Sequence, residues 1–160
     1  MGAGKTTVGT ELSQMLDCPL IDVDALIEAR SQSDIPGLFE RVGEQGFRKE
    51  ERDALLSIDA SVPAVITTGG GAVIHNQDIL PDMGWVVWLQ VSADESWARC
   101  QSDSNRPLAE QKAAFFQRWE DRLPLYESLA SFSISTDGPS ATYIAEEILA
   151  AYNRAHDETN

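Results

Sequence analysis

Near the start of the chain, Gly2-Ala3-Gly4-Lys5-Thr6-Thr7 groups two glycines, a lysine and two hydroxyls. Gly4, Lys5 and Thr6 match the end of the phosphate-binding pattern G-x-x-x-x-G-K-[ST], whose first glycine is absent here. The chemistry of the retained half is specific. Small residues let successive backbone N–H groups point at a phosphate. A following helix directs its positive end at the anion. Lys5 can reach the outer phosphates, and the Thr6 hydroxyl can ligate Mg²⁺. The competing reading is a glycine-rich helix start with no ligand.

Acids and further glycines follow. Asp22-Val23-Asp24 closes an apolar stretch. If that stretch is a strand throughout, residues two apart share a face, and both carboxylates address one site. One could hold a metal through water while the other accepts a hydroxyl proton. Alternatively, an Asp before a helix is a common N-cap. Gly69-Gly70-Gly71 follows a second apolar run. Three glycines in sequence weaken secondary structure and favour a loop that a ligand or another backbone approaches closely. A tight turn is the plainer reading. Arg48, Arg106 and Arg122 are candidates for gripping carboxylate or phosphate, which suits the forked guanidinium. Each could equally be a surface ion pair.

These groups need elements to position them. Hydrophobic spacing predicts helices over Thr6–Leu16, Ala25–Arg30, Ile35–Arg41, Phe47–Ile58, Lys112–Leu123 and Thr142–Asn153. Strands are predicted over Leu20–Asp24, Ala64–Thr68, Trp85–Val91 and Phe132–Thr136. Alternating strands and helices imply an α/β fold with a mostly parallel sheet covered on both faces. The Asp and Gly motifs then fall at the carboxyl ends of strands, where open α/β sheets bind ligands.

Composition narrows the function further. With 160 residues, one domain is expected. A net charge of −14 argues against a nucleic-acid partner, because phosphate backbones require basic surface. No apolar run is long enough to span a bilayer, and the first residues lack the pattern of a secretion signal, so no membrane association is expected. Cys18 and Cys100 are too few for a disulfide framework, which suits free thiols in a reducing cytoplasm.

Taken in order, the motifs resemble the shikimate kinase family. The resemblance covers Met1 to Tyr152. It rests on Gly-Ala-Gly-Lys-Thr-Thr (2–7), Ile-Asp-Val-Asp (21–24), Gly-Glu-Gln-Gly-Phe-Arg (43–48) with Glu50-Glu51, Thr-Gly-Gly-Gly-Ala-Val (68–73), Arg-Pro-Leu (106–108) and Arg-Leu-Pro-Leu-Tyr (122–126). It implies a three-layer P-loop kinase domain over residues 1–153, with a substrate-binding segment about 24–52, a mobile lid about 101–113 and a polar tail over 154–160. The implied activity is ATP-dependent phosphorylation of the shikimate 3-hydroxyl, in chorismate and aromatic amino acid biosynthesis. ATP and shikimate are the expected partners of a monomer.

The resemblance also implies residue roles. Gly2, Ala3, Gly4, Lys5, Thr6 and Thr7 hold the ATP phosphates, and Arg99 stacks on adenine. Thr6 binds Mg²⁺, with Asp22 assisting through water. Asp24 binds substrate hydroxyls and takes the proton of the attacking one. Arg48 and Arg122 grip the carboxylate beside Gly69, Gly70 and Gly71, against an apolar wall of Ile35, Phe39 and Phe47. Arg106 stabilises the transferring phosphoryl group. Members of the family carry a central strand ahead of the phosphate loop, which these residues do not supply, so the natural protein is expected to be longer and Met1 internal. Other readings are a gluconate- or nucleotide-type small-molecule kinase, or a non-catalytic binding relative.

Overall fold

The computed structural model describes residues 1–101 and 112–157. Twelve elements are described along the chain. They are α1 (Lys5–Met15), β1 (Leu20–Asp22), α2 (Val23–Ser31), α3 (Ile35–Leu56), β2 (Val65–Thr67), α4 (Ala72–His75), α5 (Leu80–Met83), β3 (Val87–Gln90), α6 (Ala93–Gln101), α7 (Lys112–Leu129), β4 (Phe132–Ser135) and α8 (Ala141–Asp157). The α/β alternation is therefore as expected, and every strand pairing described is parallel.

Among the described residues the strands form two separate pairs, β1 with β2 and β3 with β4. Asp22 lies opposite Thr67 in the first pair, and Gln90 opposite Ser135 in the second. No strand joins the two pairs among the described residues. Two hydrophobic cores match the two pairs. One gathers Val23, Ile27, Leu38, Phe47, Ala54 and Leu55 beneath β1 and β2. The other joins Val8 of α1 to Ile144, Ala145 and Ile148 of α8, with Trp85, Val87 and Phe132 packed on it.

Several local boundaries differ from expectation. β1 stops at Asp22, because the Asp22 carboxylate accepts a hydrogen bond from the Ala25 amide (3.2 Å) and caps α2. Asp24 therefore sits in the first helical turn and does not share a strand face with Asp22. The span α3 holds the two helical pieces expected over 35–58, which meet at Gly43, where a φ of 69° that a side chain would resist interrupts the helix. α7 continues to Leu129 through Pro124. α8 runs to Asp157, into the expected tail. Its last turn is held by rings, with Tyr152 stacked on His156 at 4.0 Å and Trp85 meeting Tyr152 edge-on at 5.5 Å. No helix among the described residues is long and apolar enough to cross a membrane.

Candidate active site

The phosphate loop bridges the carboxyl ends of both strand pairs. Ser96, on the helix after β3, donates its hydroxyl to the Met1 carbonyl at 2.7 Å. Arg99, one turn along α6, donates to the Gly2 carbonyl (3.1 Å) and to the Thr136 carbonyl beyond β4 (3.2 Å). On the other side, a methyl placed on Gly70 would lie 3.2 Å from the Met1 nitrogen, so the loop also abuts the glycine turn after β2. Ala3 is buried, Gly4 caps α1, Lys5 is half-buried, and Thr6 and Thr7 are exposed at the start of α1. That arrangement leaves the amide-rich end of an 11-residue helix open to an anion.

Beside it, three oxygen-bearing side chains converge. Thr6 donates to Asp22 Oδ2 at 3.4 Å, and Thr67 donates to the same oxygen at 3.1 Å. The register of β1 and β2 produces this meeting by placing Asp22 opposite Thr67. An all-oxygen donor set with one carboxylate suits Mg²⁺, which keeps several waters and takes further oxygens from phosphate. No group of three or more His, Cys, Asp or Glu side chains suited to a metal occurs among the described residues.

A second cluster lies across the glycine turn. A methyl on Gly69 would be 3.3 Å from Asp24 Oδ1 and 3.6 Å from Glu51 Oε1, so both carboxylates press on that residue. A methyl on Gly71 would fall 2.7–2.9 Å from the Arg48 guanidinium, inside van der Waals contact. Glycine at 71 is therefore what allows Arg48 to tuck beneath the turn. Arg48 donates to Glu51 Oε2 at 3.1 Å, and both side chains are buried. Burial pushes the Glu51 carboxyl above the ordinary glutamate range. Arg48 opposes that shift, and neighbouring Asp24 adds to it.

The arginines retain unused capacity. Arg48 Nε and Arg122 Nε are both buried without a hydrogen-bond acceptor. Arg122 is 5% exposed, and no ion pair among the described residues includes it. A buried guanidinium N–H without an acceptor is costly, and an anionic ligand would relieve that cost. Phe39 and Phe47 stack at 4.3 Å, Ile35 packs on the same core, and the Arg48 guanidinium lies 5.2 Å from the Phe47 ring centre.

The structure thus brings the expected loop, acids, glycines, two arginines and apolar wall together. It divides Asp22 and Asp24 between the two clusters. Arg106 lies outside the described residues. Three contributors were not anticipated as site residues: Glu51, Thr67 and Tyr126. Glu51 follows Arg48 at i,i+3, and Tyr126 follows Arg122 at i,i+4, spacings that juxtapose side chains on a helix. Tyr126 stacks on Trp88 at 5.7 Å and donates its hydroxyl to the Gly70 carbonyl. Burial raises its phenol pKa, and nearby Arg122 opposes the rise. Tyr126→Phe is expected to lower stability by about 1–3 kcal/mol, because the Gly70 carbonyl loses its partner. Thermal denaturation checks this, and an unchanged Tm would mean the hydroxyl does not hold the turn.

Comparison with known proteins yields one family. The shikimate kinase family model matches residues 1–153. The chain is 38% identical to a shikimate kinase from Actinobacillus pleuropneumoniae over 154 residues, covering 93% of this chain and 89% of that one. It is 39% identical to one from Vibrio cholerae, covering 93% and 88%. Among solved structures, shikimate kinase from Acinetobacter baumannii in complex with shikimate superposes with a TM-score of 0.91 at 35% identity, covering 97% of this chain and 89% of that one. The Aquifex aeolicus enzyme superposes with a TM-score of 0.82 at 28% identity, covering 97% and 94%. The full-length family match and the agreement in fold place the phosphate loop and the buried arginines in one context: the chain belongs to the shikimate kinase family.

Proposed function

We propose that this chain transfers the γ-phosphoryl group of ATP to the 3-hydroxyl of shikimate, and that the two clusters flanking the glycine turn are the two halves of its site. The observation that carries this reading is the pair of buried guanidinium groups with orphaned Nε atoms beside Gly69–Gly71. They suit a substrate carboxylate, which two forked donors can fix in a single orientation. Ile35, Phe39 and Phe47 supply an apolar wall for the ring. Asp24 accepts the proton of the attacking hydroxyl. Gly2, Ala3, Gly4, Lys5, Thr6 and Thr7 cradle the ATP phosphates, and Arg106, outside the described residues, is assigned the charge of the transferring group. Arg99, already fixed to the loop by its bond to the Gly2 carbonyl, offers a guanidinium face to the adenine.

Thr6 and Asp22 would hold Mg²⁺, supported by Thr67, and the ion would neutralise charge on the outer phosphates. The protein's own part is positioning: phosphoryl transfer depends mainly on holding donor and acceptor in line. We take residues 1–153 as one catalytic domain, acting as a monomer in the cytoplasm, a compartment consistent with the two free cysteines. Assay with ATP, Mg²⁺ and a panel of shikimate, gluconate and nucleoside monophosphates tests the reading. Shikimate-dependent, Mg²⁺-dependent ADP release is expected. Phosphorylation of gluconate or a nucleotide but not shikimate would overturn it.

A further inference from the structure

Arg48 faces two carboxylates and holds them unequally. Its Nη1 donates to both oxygens of the buried Glu51, at 3.1 and 3.3 Å. Its Nη2 faces Glu44, whose Oε1 lies 3.5 Å away. That is ion-pair range, longer than an ordinary N–H···O bond. The Glu44 side chain is 65% exposed, against 1% for Glu51. Glu51 is therefore the fixed partner and Glu44 the loose one, since exposed ion pairs contribute little.

The shape of the guanidinium decides what Glu44 obstructs. A carboxylate is held best by two parallel N–H groups on one edge of the fork. Nη1 is committed to Glu51, which leaves the edge made by Nε and Nη2. Nε is buried with no acceptor. A substrate carboxylate taking that edge needs Nη2, the group that Glu44 faces. Arg48 does not depend on Glu44 for its place. Glu51 anchors one side, and the Phe47 ring lies 5.2 Å away. Gly71 closes in so tightly that a methyl there would fall 2.7 Å from Nη2.

Local structure delivers Glu44 to this spot. α3 resumes after the break at Gly43, so Glu44 opens its second piece and Arg48 follows at i+4, on the same helix face. Val42 packs against Gly46 across the break, where a methyl on Gly46 would lie 2.5 Å from Val42 Cβ. A second cation acts on Glu44 from α7. Burial and the Arg122 charge lower the pKa of Arg118, one turn before Arg122, and the Glu44 charge opposes them. Glu44 therefore lies in the field of a guanidinium on each of two helices.

We propose that Glu44 is a resident competitor for the substrate carboxylate: it holds Nη2 of Arg48 until substrate arrives, and the incoming carboxylate displaces it toward Arg118. This rests on the reading of the pocket as a carboxylate grip. The exchange keeps the charges matched. Arg48 passes from Glu44 to the substrate, and Glu44 offsets the repulsion between Arg118 and Arg122. It also adds selectivity, because a neutral ring cannot displace an anion from a guanidinium.

The test compares the parent chain with Glu44→Gln, Glu44→Asp, Arg118→Gln and the double variant Glu44→Gln/Arg118→Gln. Shikimate is varied at saturating ATP and Mg²⁺, and KM is the readout, since it does not depend on the fraction of enzyme that is folded. Glu44→Gln should lower the shikimate KM about two- to fivefold, the scale of an exposed ion pair. Glu44→Asp keeps the charge on a shorter side chain that cannot reach Nη2, so it should lower KM as well. Arg118→Gln removes the receiving charge and should raise KM about two- to fivefold. That rise should vanish when the double variant is compared with Glu44→Gln. A raised KM in Glu44→Gln would overturn the proposal, because Glu44 would then be supporting the grip. A parental KM in Glu44→Asp would overturn it too, by showing action through charge at a distance. So would an Arg118→Gln effect that persists in the double variant. Shikimate turnover by the parent chain reports on the proposed activity, whereas the order of KM values among the variants reports on Glu44.

Discussion

Asp24→Asn is expected to lower kcat roughly 10²–10⁴-fold, the range associated with a positioned general base, while shikimate still binds with moderately reduced affinity. The reasoning starts from the two carboxylates that press on Gly69. They are not equivalent. Glu51 is fully buried and bonded to Arg48, and burial holds its carboxyl toward the protonated form. Asp24 is half-buried in the first turn of α2, beside the glycine turn, and the bond from Arg48 goes to Glu51. Neighbouring acids in unlike environments commonly divide their roles. Asp24 is therefore assigned the proton, and Glu51 the task of holding Arg48. Asn keeps the size and hydrogen-bonding reach of Asp but cannot take a proton at neutral pH. Glu51→Gln should behave differently, changing the shikimate KM more than kcat. Steady-state kinetics with shikimate varied at saturating ATP separate the two cases. Near-normal kcat in the Asn variant would refute the assignment.

Much of this arrangement was legible because particular residues permit few alternatives. Gly69-Gly70-Gly71 could be read as a point of close approach, and the approaching groups are Asp24, Tyr126 and Arg48. The Gly-Lys-Thr string announced an anion site, and α1 begins there. At Asp22 two readings stood open, a strand face shared with Asp24 and a helix N-cap. Local hydrogen bonding selects the cap, and capping α2 through Asp22 ends the strand two residues early. The outcome is a more useful geometry: Asp22 meets Thr6 and Thr67, whereas Asp24 meets the glycine turn.

Other features were hidden for identifiable reasons. α6 is too polar for its hydrophobic spacing to stand out. Its start does carry a capping signal, with Ser92 Oγ accepting from the Glu95 amide at 3.4 Å. The end of α8 is stabilised by Trp85, which is remote in sequence from Tyr152. Residue-by-residue propensity cannot see that contact. Glu51 was hidden because a charged residue on a long helix normally faces water. Only its pairing with Arg48 makes complete burial tolerable.

That pairing makes Arg48→Ala the most damaging substitution at the substrate pocket. Truncating one member of a buried, hydrogen-bonded charge contact costs about 2–5 kcal/mol. At about 1.4 kcal/mol per tenfold change, the KM for shikimate should rise about 30-fold or more, with the KM for ATP little changed. Equal effects on both would contradict a carboxylate grip. The same change strands Glu51 without its main counter-charge, so its carboxyl pKa climbs further than burial and Asp24 already take it. The sign of the pH effect follows. A carboxyl raised in the folded state contributes no penalty below its unfolded pKa, where it is protonated in both states. Stability is lost as pH rises through the folded value. The Tm difference between parent and Arg48→Ala should therefore be small near pH 4 and widen toward pH 8. Adding Glu51→Gln removes the stranded acid and should restore most of the Tm at pH 8 without restoring the KM. That separation is the decisive point. If Arg48 served only to neutralise Glu51, the double variant would regain both. If it also grips substrate through its unpaired Nε, stability returns and affinity does not.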